Sequence, residues 1–483
     1  MLYVSTRGKT DLMSSAHAIT RGLAQDGGLF VPQRIPTMRM GDIKAMAKKP
    51  YTERAVDVLL QYLTDFSEDE LRECVNTAYA KEKFGDNPVP LVQVNDNTAV
   101  LELWHGPTSA FKDMALQLLP HLLTRSMKKT GETNKVVILV ATSGDTGKAA
   151  LEGFADVEGT QIIVFYPSEG VSDIQKRQMI TQMGKNVKVF GIEGNFDDAQ
   201  RGVKEIFGNK VLSDELAKNG FTFSSANSIN WGRLVPQIVY YFSAYVDAVA
   251  AGKIAFGDIL AGYYAKLMGL PVERLLCASN SNKVLTDFIN SGTYDKRREF
   301  FKTISPSMDI LVSSNLERLL YNVTDEDAAL VAGYMKRLNT EGVYQIDNDV
   351  LKRVQTEFFG AWVDELETKE AIGRIYGDYK YLMDTHTAVA WRALEKYRFL
   401  TSDDTYSIVL STASPYKFAD SVLDALDDTQ PAGADPFANL AELNAKTGTE
   451  IPPRMLALKD LPVLHTEIIS SDKMELAVVK NLL

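Results

Sequence analysis

Apolar residues recur at helical spacing over residues 53–66 (ERAVDVLLQYLTDF), which predicts an amphipathic helix. Ser67, with Glu70 three residues on, reads as the capping box of a second helix. Asn95, Asp96 and Asn97 form a polar break, and beyond it the pattern changes. Strands are predicted at 98–104, 135–140, 161–166 and 187–190, and helices at 111–129, from Thr146 onward and at 174–183. Compact apolar runs alternating with helical patterns predict βαβ units and a mainly parallel sheet. Near-continuous apolar strands predict that both faces of that sheet are covered. The expected fold class is α/β, with two open, mostly parallel sheets flanked by helices and a mainly helical N-terminal domain.

The expected division is 1–96 for the helical unit, 97–425 for an α/β core and 426–483 for a C-terminal extension packing on that core. The core should hold two subdomains, the smaller at roughly 110–230. One place breaks the rhythm. Residues 234–250 and 257–268 both read as helices, with only 251–256 between them, where an alternating fold places a strand and a turn.

Composition narrows the function classes. A length of 483 residues predicts about three structural units. The 52 basic and 63 acidic residues leave a net charge of −11, which argues against a nucleic-acid partner. The 45% hydrophobic and 24% charged residues exclude the disordered and fibrous classes. Two cysteines, Cys74 and Cys277, cannot build a disulfide framework, and five scattered histidines form no zinc-type pair, so no metal is expected. The start MLYVSTRGKT has no apolar signal region, and the uncharged run 234–246 is too short to span a bilayer. No membrane association and a reducing, cytoplasmic setting are expected.

Right-handed crossovers gather strand C-termini and helix N-termini on one edge, where ligands bind. Four segments offer chemistry there. In Trp104–Asp113 (WHGPTSAFKD), a Gly/Pro turn leads into a helix whose first turn carries Lys112. A cation is disfavoured at that positive helix end, which moves an amine toward its neutral, carbonyl-reactive form; the plainer reading is a surface lysine. Thr142, Ser143, Gly144, Asp145, Thr146 and Gly147 form a small-residue strand-to-helix turn suited to an anion. Its two glycines are too close for a Walker A loop, and many such turns bind nothing. Residues 224–233 (SSANSINWGR) cluster hydroxyls, amides and Arg233 before a helix, suited to phosphate or carboxylate, or simply a solvated cap. Thr412 follows the apolar strand 406–410, where a hydroxyl can reach a ring nitrogen, although such hydroxyls are common. His386 reads as a satisfied histidine beside a helix cap, and His17, His121 and His465 as structural or exposed.

With these stretches the chain resembles the threonine synthases, pyridoxal-phosphate (PLP) enzymes of fold type II. The resemblance rests on YVSTRG, GGLFVP, HGPTSAFKD, TSGDTG, SSANSINWGR, ASNSN and SPSMDI, which run in family order over nearly the whole chain. It implies that Lys112 holds PLP covalently and shuttles protons, and that Thr412 meets the pyridine nitrogen. It further implies that Thr142, Ser143, Gly144, Asp145 and Thr146 hold the substrate carboxylate, and that Asn227, Ser228 and Arg233 serve its phosphate. The implied reaction turns O-phosphohomoserine and water into threonine and phosphate, by a monomer or weak homodimer.

The chain also departs from the family. A strand and Gly/Asn turn similar to PTGNFGD should grip the cofactor phosphate, and here only Phe256, Gly257 and Asp258 of it follow residues 252–255. Two other readings stand beside the first: a related phospho-lyase that expels phosphate without adding water and, if that loop is truly absent, a non-catalytic paralogue that binds phosphorylated amino acids.

Overall fold

The computed structural model describes residues 1–169, 171–251, 259–427, 433 and 435–483, with the backbone alone at 197. Its strands, in chain order, are β1 (Tyr3–Ser5), β2 (Phe30–Pro32), β3 (Leu91–Asn95), β4 (Thr98–Glu102), β5 (Lys135–Ala141), β6 (Thr160–Pro167) and β7 (Val187–Glu193). They continue with β8 (Phe221–Ser224), β9 (Leu275–Ser279), β10 (Thr293–Asp295), β11 (Val343–Gln345), β12 (Phe358–Trp362), β13 (Ser407–Ser411) and β14 (Ile468–Ser470).

The largest sheet runs β14-β7-β6-β5-β8, with every neighbouring pair parallel. Its centre is apolar on both sides. In β5, Val136, Ile138 and Val140 join one core, and Val137, Leu139 and Ala141 a second, as alternation demands of a strand covered on both faces. The last residues of the chain add β14 to the edge of this sheet, followed by the helix Met474–Leu482.

Two smaller sheets stand apart from it among the described residues. One is β13-β4-β3, parallel between β13 and β4 and antiparallel between β4 and β3. The other is the parallel pair β12-β9. Between them lies a cavity of about 150 Å³, lined by Leu276 and Ala278 of β9 and by Ile408 and Leu410 of β13.

Two details differ from expectation. The stretch before residue 96 is mainly helical as expected but also carries β1, β2 and β3, and the Asn95–Asn97 break is the turn of the β3–β4 hairpin. The helix expected at 111–129 is two helices, Lys112–Leu116 and Leu119–Thr130. Elsewhere local signals act as anticipated: Ser67 and Glu70 form the reciprocal cap of the helix Glu68–Ala78. Cys74 and Cys277 are both buried, and neither is part of a disulfide. Among the described residues, no helix is long and apolar enough to cross a membrane.

Candidate active site

β4, β5, β8, β9 and β13 each lead at their C-terminal ends into a segment singled out by sequence, so chain topology gathers the chemistry on one edge. After β4 the chain turns tightly. The Asp113 carboxylate accepts the Thr108 N–H (2.7 Å) and hydroxyl (2.8 Å). Gly106 must be a glycine, because a Cβ there would sit 2.5 Å from Asp113 Cβ. This knot sets the start of the helix Lys112–Leu116 and buries Lys112.

Lys112 Nζ donates to Ser307 Oγ (3.2 Å) and lies 3.7 Å from Asp145 Oδ2. Burial draws its pKa down to about 8; Asp145 opposes this, and the charges of Arg233 and Lys417 reinforce it. The direction matches the lowering expected of this lysine, and the largest cause is desolvation by burial.

In the turn after β5, Thr142 Oγ1 accepts the N–H groups of Gly144 (2.9 Å) and Gly147 (2.8 Å). Those two amides are therefore used internally, whereas the Thr142 hydroxyl only accepts and keeps its hydrogen, which it can offer to an anion beside the N–H groups of Ser143, Asp145 and Thr146. The Asp145 side chain points elsewhere, at Lys417 Nζ (2.6 Å) and Gln175 Nε2 (2.8 Å). Burial pushes the Asp145 carboxyl up, but Lys417 and Lys112 outweigh that and hold it far below the usual carboxylate range. Lys148, at the end of the motif, bonds Glu152 (2.9 Å).

After β8, Arg233 is buried at the start of the helix Trp231–Ala250 and donates through Nη1 to the Ala226 carbonyl (2.7 Å). Burial lowers it to about 10. Its Nε and Asn227 Oδ1 are buried with no hydrogen-bond partner. Ser228 Oγ meets Ser314 Oγ (2.7 Å). After β13, the Thr412 carbonyl accepts the Phe111 N–H (2.8 Å), which ties Thr412 to the residue before Lys112. Phe256, Gly257 and Asp258 lie outside the described residues.

Three participants were not anticipated. Lys417, fully buried, neutralises Asp145. Ser307, from the SPSMDI stretch, bridges Lys112 and Asp145. His386 is buried and accepts the Ser307 N–H (3.1 Å), so it is more than part of a cap. These residues fit a cofactor bearing an aldehyde: the Lys112 amine is buried and moved toward neutrality.

Three family models match the chain: "Threonine synthase N terminus" over residues 2–79, "Pyridoxal-phosphate dependent enzyme" over 84–412, and "Threonine synthase, C-terminal" over 387–467. Threonine synthase of Pseudomonas aeruginosa is 38% identical over 92% of this chain and 94% of its own length. Threonine synthase-like 1 of Homo sapiens is 37% identical over 95% of this chain, and the match spans 62% of that longer relative. PLP-bound threonine synthase from Brucella melitensis superposes with a TM-score of 0.87 at 36% identity, covering 100% of this chain and 98% of that one. The match along the whole sequence and the superposed fold carry the same conclusion as the buried lysine: this chain belongs to the threonine synthase family of pyridoxal-phosphate-dependent enzymes.

Proposed function

We propose that the chain converts O-phosphohomoserine and water to threonine and phosphate, with PLP as its cofactor. The observation that carries this reading is the Lys112 amine, buried between Asp145 and Ser307 with its pKa down at about 8. When bound, PLP supplies an electron sink for charge left on the substrate carbon skeleton.

The chain's own residues do the rest. Lys112 would hold the cofactor, and as a neutral amine it would take and return protons at the substrate's α-carbon and beyond. The free N–H groups of Ser143, Asp145 and Thr146 receive the α-carboxylate at the helix start. Arg233 Nε, with Asn227 and Ser228 beside it, receives phosphate and steadies its charge as it leaves. Thr412 would offer its hydroxyl to the cofactor ring. Asp145 offers no charge of its own to a carboxylate, because Lys417 cancels it. The acting species is a cytoplasmic monomer or weak homodimer.

Purified protein, PLP and O-phosphohomoserine test the reading. Threonine and phosphate in equal amounts are expected. Release of 2-oxobutyrate would identify a phospho-lyase instead, and tight substrate binding without turnover would identify a non-catalytic binder.

A further inference from the structure

His386 stands in the first turn of the helix Thr385–Thr401, 2% exposed. Asp384, 0% exposed, caps that helix by accepting the His386 N–H (2.9 Å) and the Thr387 N–H (3.4 Å) and hydroxyl. The same carboxylate meets His386 Nδ1 at 2.8 Å. A carboxylate only accepts, so Nδ1 carries the hydrogen and Nε2 keeps its lone pair. That lone pair accepts the backbone N–H of Ser307 at 3.1 Å. The Ser307 hydroxyl then accepts from Lys112 Nζ (3.2 Å) and turns its hydrogen toward Asp145 Oδ2 (3.4 Å). The Phe418 ring packs on the imidazole at 4.9 Å, next in sequence to Lys417.

We propose that His386 is a positioning residue for Lys112: fixed in one tautomer by Asp384, it pins Ser307 so that the serine hydroxyl engages one N–H of the lysine and directs the amine lone pair into the site. This rests on Lys112 being the cofactor-bonding amine. A cap alone has no use for the imidazole; an aspartate caps a helix next to any residue, and its bond to Nδ1 gains meaning only through what Nε2 holds. Ser307 lies on the short turn Pro306–Met308, which makes no ladder bonds of its own. Without the histidine, that turn loses the bond that sets the distance of its hydroxyl from Lys112.

Two substitutions separate positioning from capping. Asparagine at 386 can bond Asp384 but is too short to reach Ser307, whereas glutamine places an acceptor near the Nε2 position. With full-length protein, PLP capture at Lys112 is followed by borohydride trapping and peptide mass spectrometry, alongside kcat, KM and thermal melting. His386→Asn is expected to slow capture and lower kcat roughly tenfold or more, with KM within about twofold and melting unchanged. His386→Gln should restore both to within about threefold of wild type. Ser307→Ala reads the same link from its other end without touching the helix cap, and should slow capture similarly; added to His386→Asn it should cost nothing further.

Equal impairment in the asparagine and glutamine variants, normal capture in Ser307→Ala, or additive losses in the double variant would overturn the proposal. Wild-type protein that traps no PLP at Lys112 would instead overturn the assignment of Lys112 itself.

Discussion

Lys417 Nζ lies 2.6 Å from Asp145 Oδ1, and both side chains are withdrawn from solvent, at 0% and 3% exposure. The lysine also donates to the Thr108 carbonyl at 3.0 Å, inside the turn that precedes Lys112. Asp145 thus sits between two lysine side chains, and Lys417 is the nearer. The pair allows a carboxylate to stand beside the reactive amine without presenting net negative charge to an anionic substrate.

Removing Lys417 should therefore act twice. Lys417→Met leaves Asp145 buried with Lys112 at 3.7 Å as its one ion-pair partner among the described residues, and breaking such a buried pair costs about 3–5 kcal/mol. It also deletes a positive charge that lowers the Lys112 pKa, so less of that amine is neutral near pH 7. Denaturant melts should show the stability loss, and PLP capture at Lys112 should shift to higher pH. Capture at the wild-type pH would mean that Asp145 is balanced by some other group.

The Lys112 value fixes a pH window. The folded pKa, about 8, lies below the ordinary 10.5, so between these values the unfolded chain binds more protons than the folded one. Stability from this group is lowest below pH 8, where a buried ammonium must be held, and rises as pH climbs toward 10.5. Comparing wild type with Lys112→Met should show the gap between their stabilities narrowing over that window. Capture of PLP should increase with pH and level off just above 8. A capture curve still climbing at pH 10 would show that the amine is not desolvated in solution.

What sequence could reveal follows from how local each cause is. β5 and β6 were legible because a strand buried on both faces must be apolar throughout. β3 (LVQVN) was not, because Gln93 interrupts its pattern and the following Asn-Asp-Asn resembles a loop rather than a hairpin turn. The break in 111–129 escaped notice because Leu116, Leu118 and Leu119 are all buried, and an element apolar all round has no face to read. Lys112 was visible from its motif. Lys417 was not, because its meaning comes from Asp145, far off in sequence, and nothing around SPYKF marks a partner. His386 looked like part of a cap since its second partner, Ser307, arrives from another segment.

The turn before Lys112 gives a stability prediction tied to geometry. Gly106→Ala would place a methyl group 2.5 Å from Asp113 Cβ and 2.7 Å from Phe84 Cε1. Both neighbours are packed, and Asp113 is held by Thr108 at 2.7 and 2.8 Å, so the clash moves backbone. A cost of about 1–3 kcal/mol is expected, and because Asp113 adjoins Lys112, PLP capture should fall as well. A variant with wild-type melting and capture would show that the turn has room the structure does not give it.

Arg233 offers a substitution that separates binding from chemistry. Its Nη1 is used by the Ala226 carbonyl, and its Nε is buried with no partner, which leaves that donor for an anion. A charge-assisted hydrogen bond to phosphate is worth about 1.5–3 kcal/mol, which corresponds to a rise in KM for O-phosphohomoserine of roughly 10- to 100-fold in Arg233→Met. Inorganic phosphate should lose its power as a competitive inhibitor by a similar factor. The guanidinium charge also lowers the Lys112 pKa, so the variant's capture curve should move to higher pH. Because capture is measured without substrate, the two effects can be told apart: an unchanged KM with a shifted capture curve would leave Arg233 as an electrostatic neighbour of Lys112 and assign the phosphate to other donors.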